Sequence, residues 1–143
     1  MLNTKQVSLS MAQLMPQIIQ GVHLDFLLSR SITQTQFLVL VAIHSRRQSS
    51  MNALANNMKV SMPTMSGIVD RLVKAGYLRR IEDLSDRRQV VIELTLKGQK
   101  IIKSFQLAVS TRWQEVLKTL SQDELNSFYQ VITKLMQGLQ KGK

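Results

Sequence analysis

The residues best equipped for chemistry crowd into one stretch, Val60 to Leu94, VSMPTMSGIVDRLVKAGYLRRIEDLSDRRQVVIEL. Arg71, Arg87 and Arg88 supply guanidinium forks, and Ser61, Thr64 and Ser66 supply hydroxyls. Pro63 and Gly67 are small or compact, and Met62 offers an apolar contact. Donors without a nucleophile suit recognition of phosphates and base edges, because an arginine fork matches both geometrically. Nothing elsewhere argues for catalysis. No nucleophile–base pair, phosphate-binding glycine loop or metal-ligand cluster is visible. The two histidines, His23 and His44, are too few and too far apart for a metal site. The expectation is a binding protein that is not an enzyme and needs no cofactor or metal.

These side chains need a helix and a hairpin to position them. Ser61 reads as an N-cap, its hydroxyl accepting from a free first-turn N–H, and Pro63 falls in the first turn, where a missing N–H is harmless. Gly76 stands where a left-handed C-terminal residue is wanted. Between them Met65, Ile68, Val69 and Leu72 recur at helical spacing and face inward. Pro63, Ser66, Gly67, Asp70, Arg71 and Lys74 form the other face, small with a basic end. Two β-prone runs follow, Tyr77–Ile81 and Gln89–Leu94, around the charged tip Glu82 to Arg88. The tip is too long for a two-residue turn, so it projects. A helix with a projecting basic hairpin is the winged helix-turn-helix arrangement.

The remaining chain supports this head. Residues 1–9 are polar and read as frayed. A helical apolar series runs from Met11 to Phe26, with Pro16 expected to kink it or delay its start. Thr33 and Gln36 fit a capping box before the helix of Phe37 to Ile43. His44 to Ser50 reads as a polar connector, and Ser50 as the cap of a short helix over Met51 to Asn57. Lys59-Val60 is the turn into the Ser61 helix, which completes a helix-turn-helix by spacing. After the hairpin, Thr95 to Gly98 opens a long helix whose stripe runs from Ile101 to Leu120. A second capping box, Ser121 with Glu124, starts the last helix.

Composition agrees with a polyanionic partner. Lys and Arg number 19 against 9 acidic residues, a net charge of +10, which favours nucleic acid before membrane. The excess is +1 over residues 1–30, +4 over 31–95 and +5 over 96–143, so it is not confined to the reading head. The absence of cysteine excludes disulfides, thiolate metal sites and thiol switches. No apolar run approaches the roughly 18 residues of a membrane span, and no signal-peptide pattern opens the chain, so the expected compartment is the cytoplasm.

The apolar stripes of the first helix and the last two exceed what one small domain can cover. Pairing with a second copy about a two-fold axis would bury them. The expected fold is mainly α (α+β): a winged helix-turn-helix with long N- and C-terminal dimerisation helices. Its parts are an N-terminal dimerisation helix over 1–32, a winged DNA-binding domain over 33–95 and C-terminal dimerisation helices over 96–143.

The sequence resembles the MarR family of bacterial winged-helix transcriptional regulators, from about Thr33 to Gly98. Leu54-Ala55, Ser61-x-x-Thr64, Val69-Asp70-Arg71-Leu72 and Lys74-Ala75-Gly76-Tyr77-Leu78-Arg79-Arg80 carry the likeness. Asp86-Arg87-Arg88 with Leu94-Thr95-x-x-Gly98 completes it. The resemblance implies a homodimer on a palindromic double-stranded DNA operator, often a repressor released by a small aromatic or phenolic effector held between the dimer part and the wing lobe. His23, Phe26 and Ile43 are the residues assigned to such a pocket.

One of Arg87 and Arg88 is expected to enter a narrow minor groove, and the resemblance favours Arg88 with Asp86 orienting its fork. Asp70 would be repelled by phosphates if exposed, so it is expected to pair with a wing or neighbouring arginine. DNA contacts are therefore assigned to Ser61, Met62, Pro63, Thr64, Ser66, Gly67, Arg71, Arg87 and Arg88. Positions 62 and 67, often basic or long and polar in relatives, are Met and Gly here. Phosphate contacts and DNA shape must then carry more of the recognition, with Ser66 and Arg71 the best direct readers. Without cysteine, the peroxide-sensing mechanism of one branch of the family is ruled out. The competing reading is a winged-helix protein-interaction or architectural module without effector response.

Overall fold

The computed structural model describes residues 1–82, 85–86 and 88–141, with the side chains of His23 and Leu24 left aside. The elements run α1 (Thr4–Ser29), α2 (Gln34–Arg46), β1 (Gln48–Ser50), α3 (Met51–Met58), α4 (Met62–Lys74), β2 (Leu78–Glu82), β3 (Val90–Leu94), α5 (Leu96–Leu117) and α6 (Gln122–Lys141). This is a mainly α winged helix-turn-helix with long flanking helices.

Two local features depart from the sequence reading. The first helix begins at Thr4, inside the segment expected to fray. Asn3 Oδ1 accepts from the Gln6 amide at 2.9 Å, and Gln6 Oε1 accepts from the Asn3 amide at 3.1 Å. This reciprocal box satisfies two end donors, so the helix can start on polar residues. It then runs through Pro16 without a late start.

The second departure is β1, a polar strand inside the expected connector. It pairs antiparallel with β3, Ser49 opposite Ile92, and extends the hairpin to a three-stranded sheet of order β1-β3-β2. Three polar residues show no alternation that could have revealed a strand. Backbone pairing with β3 supplies the stabilisation instead.

The core packs α2, α3 and α4 against the sheet. Val39, Leu40, Ile43, Leu54, Met65, Val69 and Ile92 are fully buried. It continues into the flanking helices through an aromatic cluster. Phe37 of α2 lies 6.0 Å from Phe26 of α1 and 4.7 Å from Phe105 of α5, centroid to centroid. Burial of these rings joins the reading head to the helices expected to dimerise. By contrast, α6 buries no residue of its own.

The junction between α4 and α5 is closely fitted. Gly76, at φ +84°, ends α4 in a Schellman motif, with Tyr77 N–H donating to the Leu72 carbonyl and Gly76 N–H to that of Val73, both at 2.9 Å. Thr95 and Lys97 then reach back, donating to the carbonyls of Gly76 at 2.5 Å and Ala75 at 2.7 Å. Gly98 allows this approach, since a Cβ there would lie 2.2 Å from the Tyr77 carbonyl oxygen.

Candidate nucleic-acid interface

The reading helix α4 is held by its caps and its buried side. Ser61 Oγ accepts from the Thr64 amide at 3.3 Å and donates to Thr64 Oγ1 at 2.9 Å. One exposed hydroxyl pair is thus fixed at the helix start. Met65, Val69 and Leu72 anchor the inner face, and Ile68 is half-buried.

Ser61, Met62, Pro63, Thr64 and Arg71 are exposed on the outer side, with Ser66 and Gly67 half-buried between them. A Cβ added at Gly67 would meet nothing within 4 Å, so the helix here is open to close approach. The amino end of α4 carries no acidic residue in its first turn. Unpaired N–H groups and the helix dipole therefore present partial positive charge to an approaching phosphate.

Asp70 lies on the outer side of α4 and is engaged by Arg80 Nη2 from β2. This ion pair bridges the reading helix and the first wing strand, turning Asp70's charge away from incoming phosphates. Arg80 was not singled out by sequence. Its signal was positional: period-two alternation along β2 puts Arg79 and Arg80 on opposite faces of the sheet. Arg79 instead pairs with Glu93 directly across the ladder on β3.

At the wing tip, Asp86 Oδ1 accepts from the main-chain amide of Arg88 at 3.0 Å. The contact that holds Arg88 therefore runs through its backbone, where the sequence reading had the carboxylate gripping the guanidinium fork. An Asx-type bond of this kind fixes the turn and so the direction in which the side chain leaves it. Arg87 lies outside the described residues.

Of the residues assigned to a ligand, Phe26 is buried in the aromatic cluster and Ile43 is fully buried in the core. The side chain of His23 lies outside the described residues. A polar cleft exists elsewhere, on the back of the sheet against α5, lined by His44, Arg47, Arg79, Glu93 and Lys103 among others. Its residues come from four elements, so no local motif marks it. Among the described residues no group of three or more His, Cys, Asp or Glu could hold a metal. Among them, too, no single helix is long and apolar enough to cross a membrane.

Comparison with known proteins places this geometry. A family model described as MarR family matches residues 32–90. The uncharacterised HTH-type transcriptional regulator YfiV of Bacillus subtilis is 27% identical over 112 residues, 78% of this chain and 70% of its own length. The solved structure of transcriptional regulator Tm0710 from Thermotoga maritima matches with a TM-score of 0.86 at 20% identity, covering 97% of both chains. An S. aureus MepR mutant bound to an oligodeoxyribonucleotide matches with a TM-score of 0.68 at 21% identity, covering 97% of this chain and 99% of that one. NadR in complex with 4-hydroxyphenylacetate matches with a TM-score of 0.60 at 22% identity, covering 90% and 91%. At these identities the structural likeness is one of fold.

Proposed function

We propose that the chain is a member of the MarR family of winged helix-turn-helix, DNA-binding transcriptional regulators, whose family model matches residues 32–90, and that it binds a palindromic operator as a homodimer and represses transcription until a small molecule releases it. One observation carries the reading. A capped helix with an open, small-residue outer face is tied by Asp70 and Arg80 to a wing whose tip holds Arg88 in a fixed turn. Helix in the major groove and wing tip in the adjacent minor groove is the division of labour this spacing suits.

Homodimerisation is supported by the uncovered apolar surface at the two ends of the chain. Phe128, Val131, Leu135, Met136 and Leu139 are exposed along α6, as are Val7, Met11 and Leu14 along α1. Contiguous exposed apolar surface on this scale marks an interaction site, and like ends pair naturally about a two-fold axis. Two copies present +20 to the duplex, twice the +10 of one chain. A dimer seated across a promoter would exclude polymerase, in the cytoplasm where the DNA is. Release by a small molecule is supported by the NadR complex, a relative in fold that holds 4-hydroxyphenylacetate.

Footprinting on the DNA flanking the protein's own coding region tests the reading. Two protected half-sites about one helical turn apart are expected, with affinity falling steeply as salt releases condensed counterions. Salt-sensitive binding with no preference among sequences would favour an architectural module instead.

A further inference from the structure

The cleft on the back of the sheet is not used by the DNA-reading face. It is an open cleft of about 610 Å³, within the usual size range of a small-molecule site. Arg47 from the end of α2, Arg79 from β2 and Lys103 from α5 line it together with a single carboxylate, Glu93 of β3. Glu93 is already engaged by Arg79. Among the described residues, the side chains of Arg47 and Lys103 have no hydrogen-bond or ion-pair partner. Two exposed, unpaired cations therefore line one cleft, from the end of α2 and from α5.

Arg47 adds a second observation. It caps α2 at φ +67° and ψ −42°, in a region that a residue with a Cβ rarely adopts. Such backbone strain persists where the surroundings enforce it and concentrates at ligand-binding positions. Glycine would have relieved it, at the loss of the guanidinium.

We propose that this cleft binds a small hydrophilic polyanion, bearing two or more carboxylates or a phosphate together with a hydroxyl. The cations supply charge-assisted donors to the anionic oxygens. Glu93 accepts from the hydroxyl, and the amides of Gln99 and Gln106 complete a polar wall. Leu94 is the one residue of apolar type lining it, and the aliphatic stems of the charged and amide side chains supply the rest of its apolar surface, so the cations rather than a dedicated ring slot select the occupant. Resting on the DNA-binding reading, the site has a regulatory consequence. Its occupant bridges α5 and β2, and β2 is the strand whose Arg80 holds Asp70 of α4.

Calorimetric titration of the DNA-free, full-length protein at constant ionic strength tests the site, with citrate and inorganic phosphate as probes and benzoate as the monoanionic aromatic contrast. Saturable citrate binding at one per chain is expected, and benzoate should be at least tenfold weaker. Arg47→Gln combined with Lys103→Gln should weaken citrate at least tenfold, whereas Arg88→Ala should leave it unchanged. Gln keeps the same backbone demand at position 47, and circular dichroism verifies that the double variant is folded. Glu93→Gln should tighten citrate by removing a like charge.

The proposal is overturned if neither citrate nor phosphate binds saturably, or if benzoate binds as tightly as citrate. It is equally overturned if Arg88→Ala abolishes binding while the double variant binds like the parent, because the anion then sits on the DNA surface. Citrate should also release operator DNA from the parent and not from the double variant. Binding without release would keep the site and overturn its link to α4. Since the titration contains no DNA, its failure is separable from failure of the regulator reading.

Discussion

Arg80 on the first wing strand reaches Asp70 on the reading helix, so the two parts of the DNA-binding surface are joined by an ion pair. Both side chains are well exposed, 39% for Arg80 and 60% for Asp70. The pair should then contribute less than about 1 kcal/mol to stability. Its value lies in geometry and in neutralising a carboxylate beside the phosphates. Asp70→Asn should leave the melting temperature nearly unchanged and lower the ratio of operator to random-DNA affinity. An unchanged ratio would show that helix and wing are positioned by packing alone.

Arg71 and Arg88 separate reading from positioning. Arg71→Ala should lose on the order of 1–3 kcal/mol and relax selectivity at one operator base pair if it meets a base edge. Arg88→Ala should weaken binding most on operators with A·T-rich flanks, where the narrow minor groove concentrates negative potential. Arg87→Ala serves as the control and should cost less, evenly across sequences. Quantitative gel shifts on matched operators check all three, and an Arg88→Ala protein that binds like the parent while Arg87→Ala does not would exchange their roles.

Asp86 holds the main-chain amide of Arg88, which alters what its substitution should do. Asp86→Asn retains an acceptor for that N–H and should cost little. Asp86→Ala removes the acceptor, loosens the turn and should approach the loss seen for Arg88→Ala. Equal behaviour of the two variants in the same gel shifts would mean that the charge, not the turn, matters.

Gly67 tests how closely the helix approaches DNA. Ala at position 67 meets nothing in the free protein, so it should stabilise the helix by about 0.5–1 kcal/mol. Any loss of operator affinity then reports contact made only in the complex. At Gly98 the same substitution should destabilise the fold by about 1–3 kcal/mol or more, because the new methyl meets the Tyr77 carbonyl. Thermal melts of the two variants should move in opposite directions.

Glu124 makes the start of α6 sensitive to acid. Hydrogen bonds from the Ser121 amide and hydroxyl hold its carboxyl below the ordinary glutamate value. A depressed folded-state value means that the stabilisation is fully present above the unfolded value of about 4.3 and is lost as pH falls through the lower folded value. If the dimer forms through α6, dissociation should become easier in that window for the parent and stay flat in Glu124→Gln. Sedimentation across pH 3–6 (a range of roughly 3 units bracketing the glutamate value) distinguishes the two.

Much of this protein is written locally. The caps at Thr33, Ser50, Ser61, Thr95 and Ser121 are short-range hydrogen bonds between residues three apart, so their spacing alone announces the helix starts. The buried stripe of Met65, Val69 and Leu72 follows from the helical period, and the hairpin follows from two β-prone runs around a charged tip. The net charge of +10 points to a polyanionic partner. Tertiary structure decided what depends on residues distant in sequence. Strand β1 exists because β3 offers it a ladder, and Gln48 to Ser50 have no pattern of their own. Asp70 finds Arg80 rather than another arginine because β2 folds back beside α4. Phe26 meets Phe37 and Phe105 only because α1, α2 and α5 converge. The cations of the back cleft meet only when α2, the sheet and α5 are packed together, a juxtaposition that periodicity cannot encode because it spans four elements.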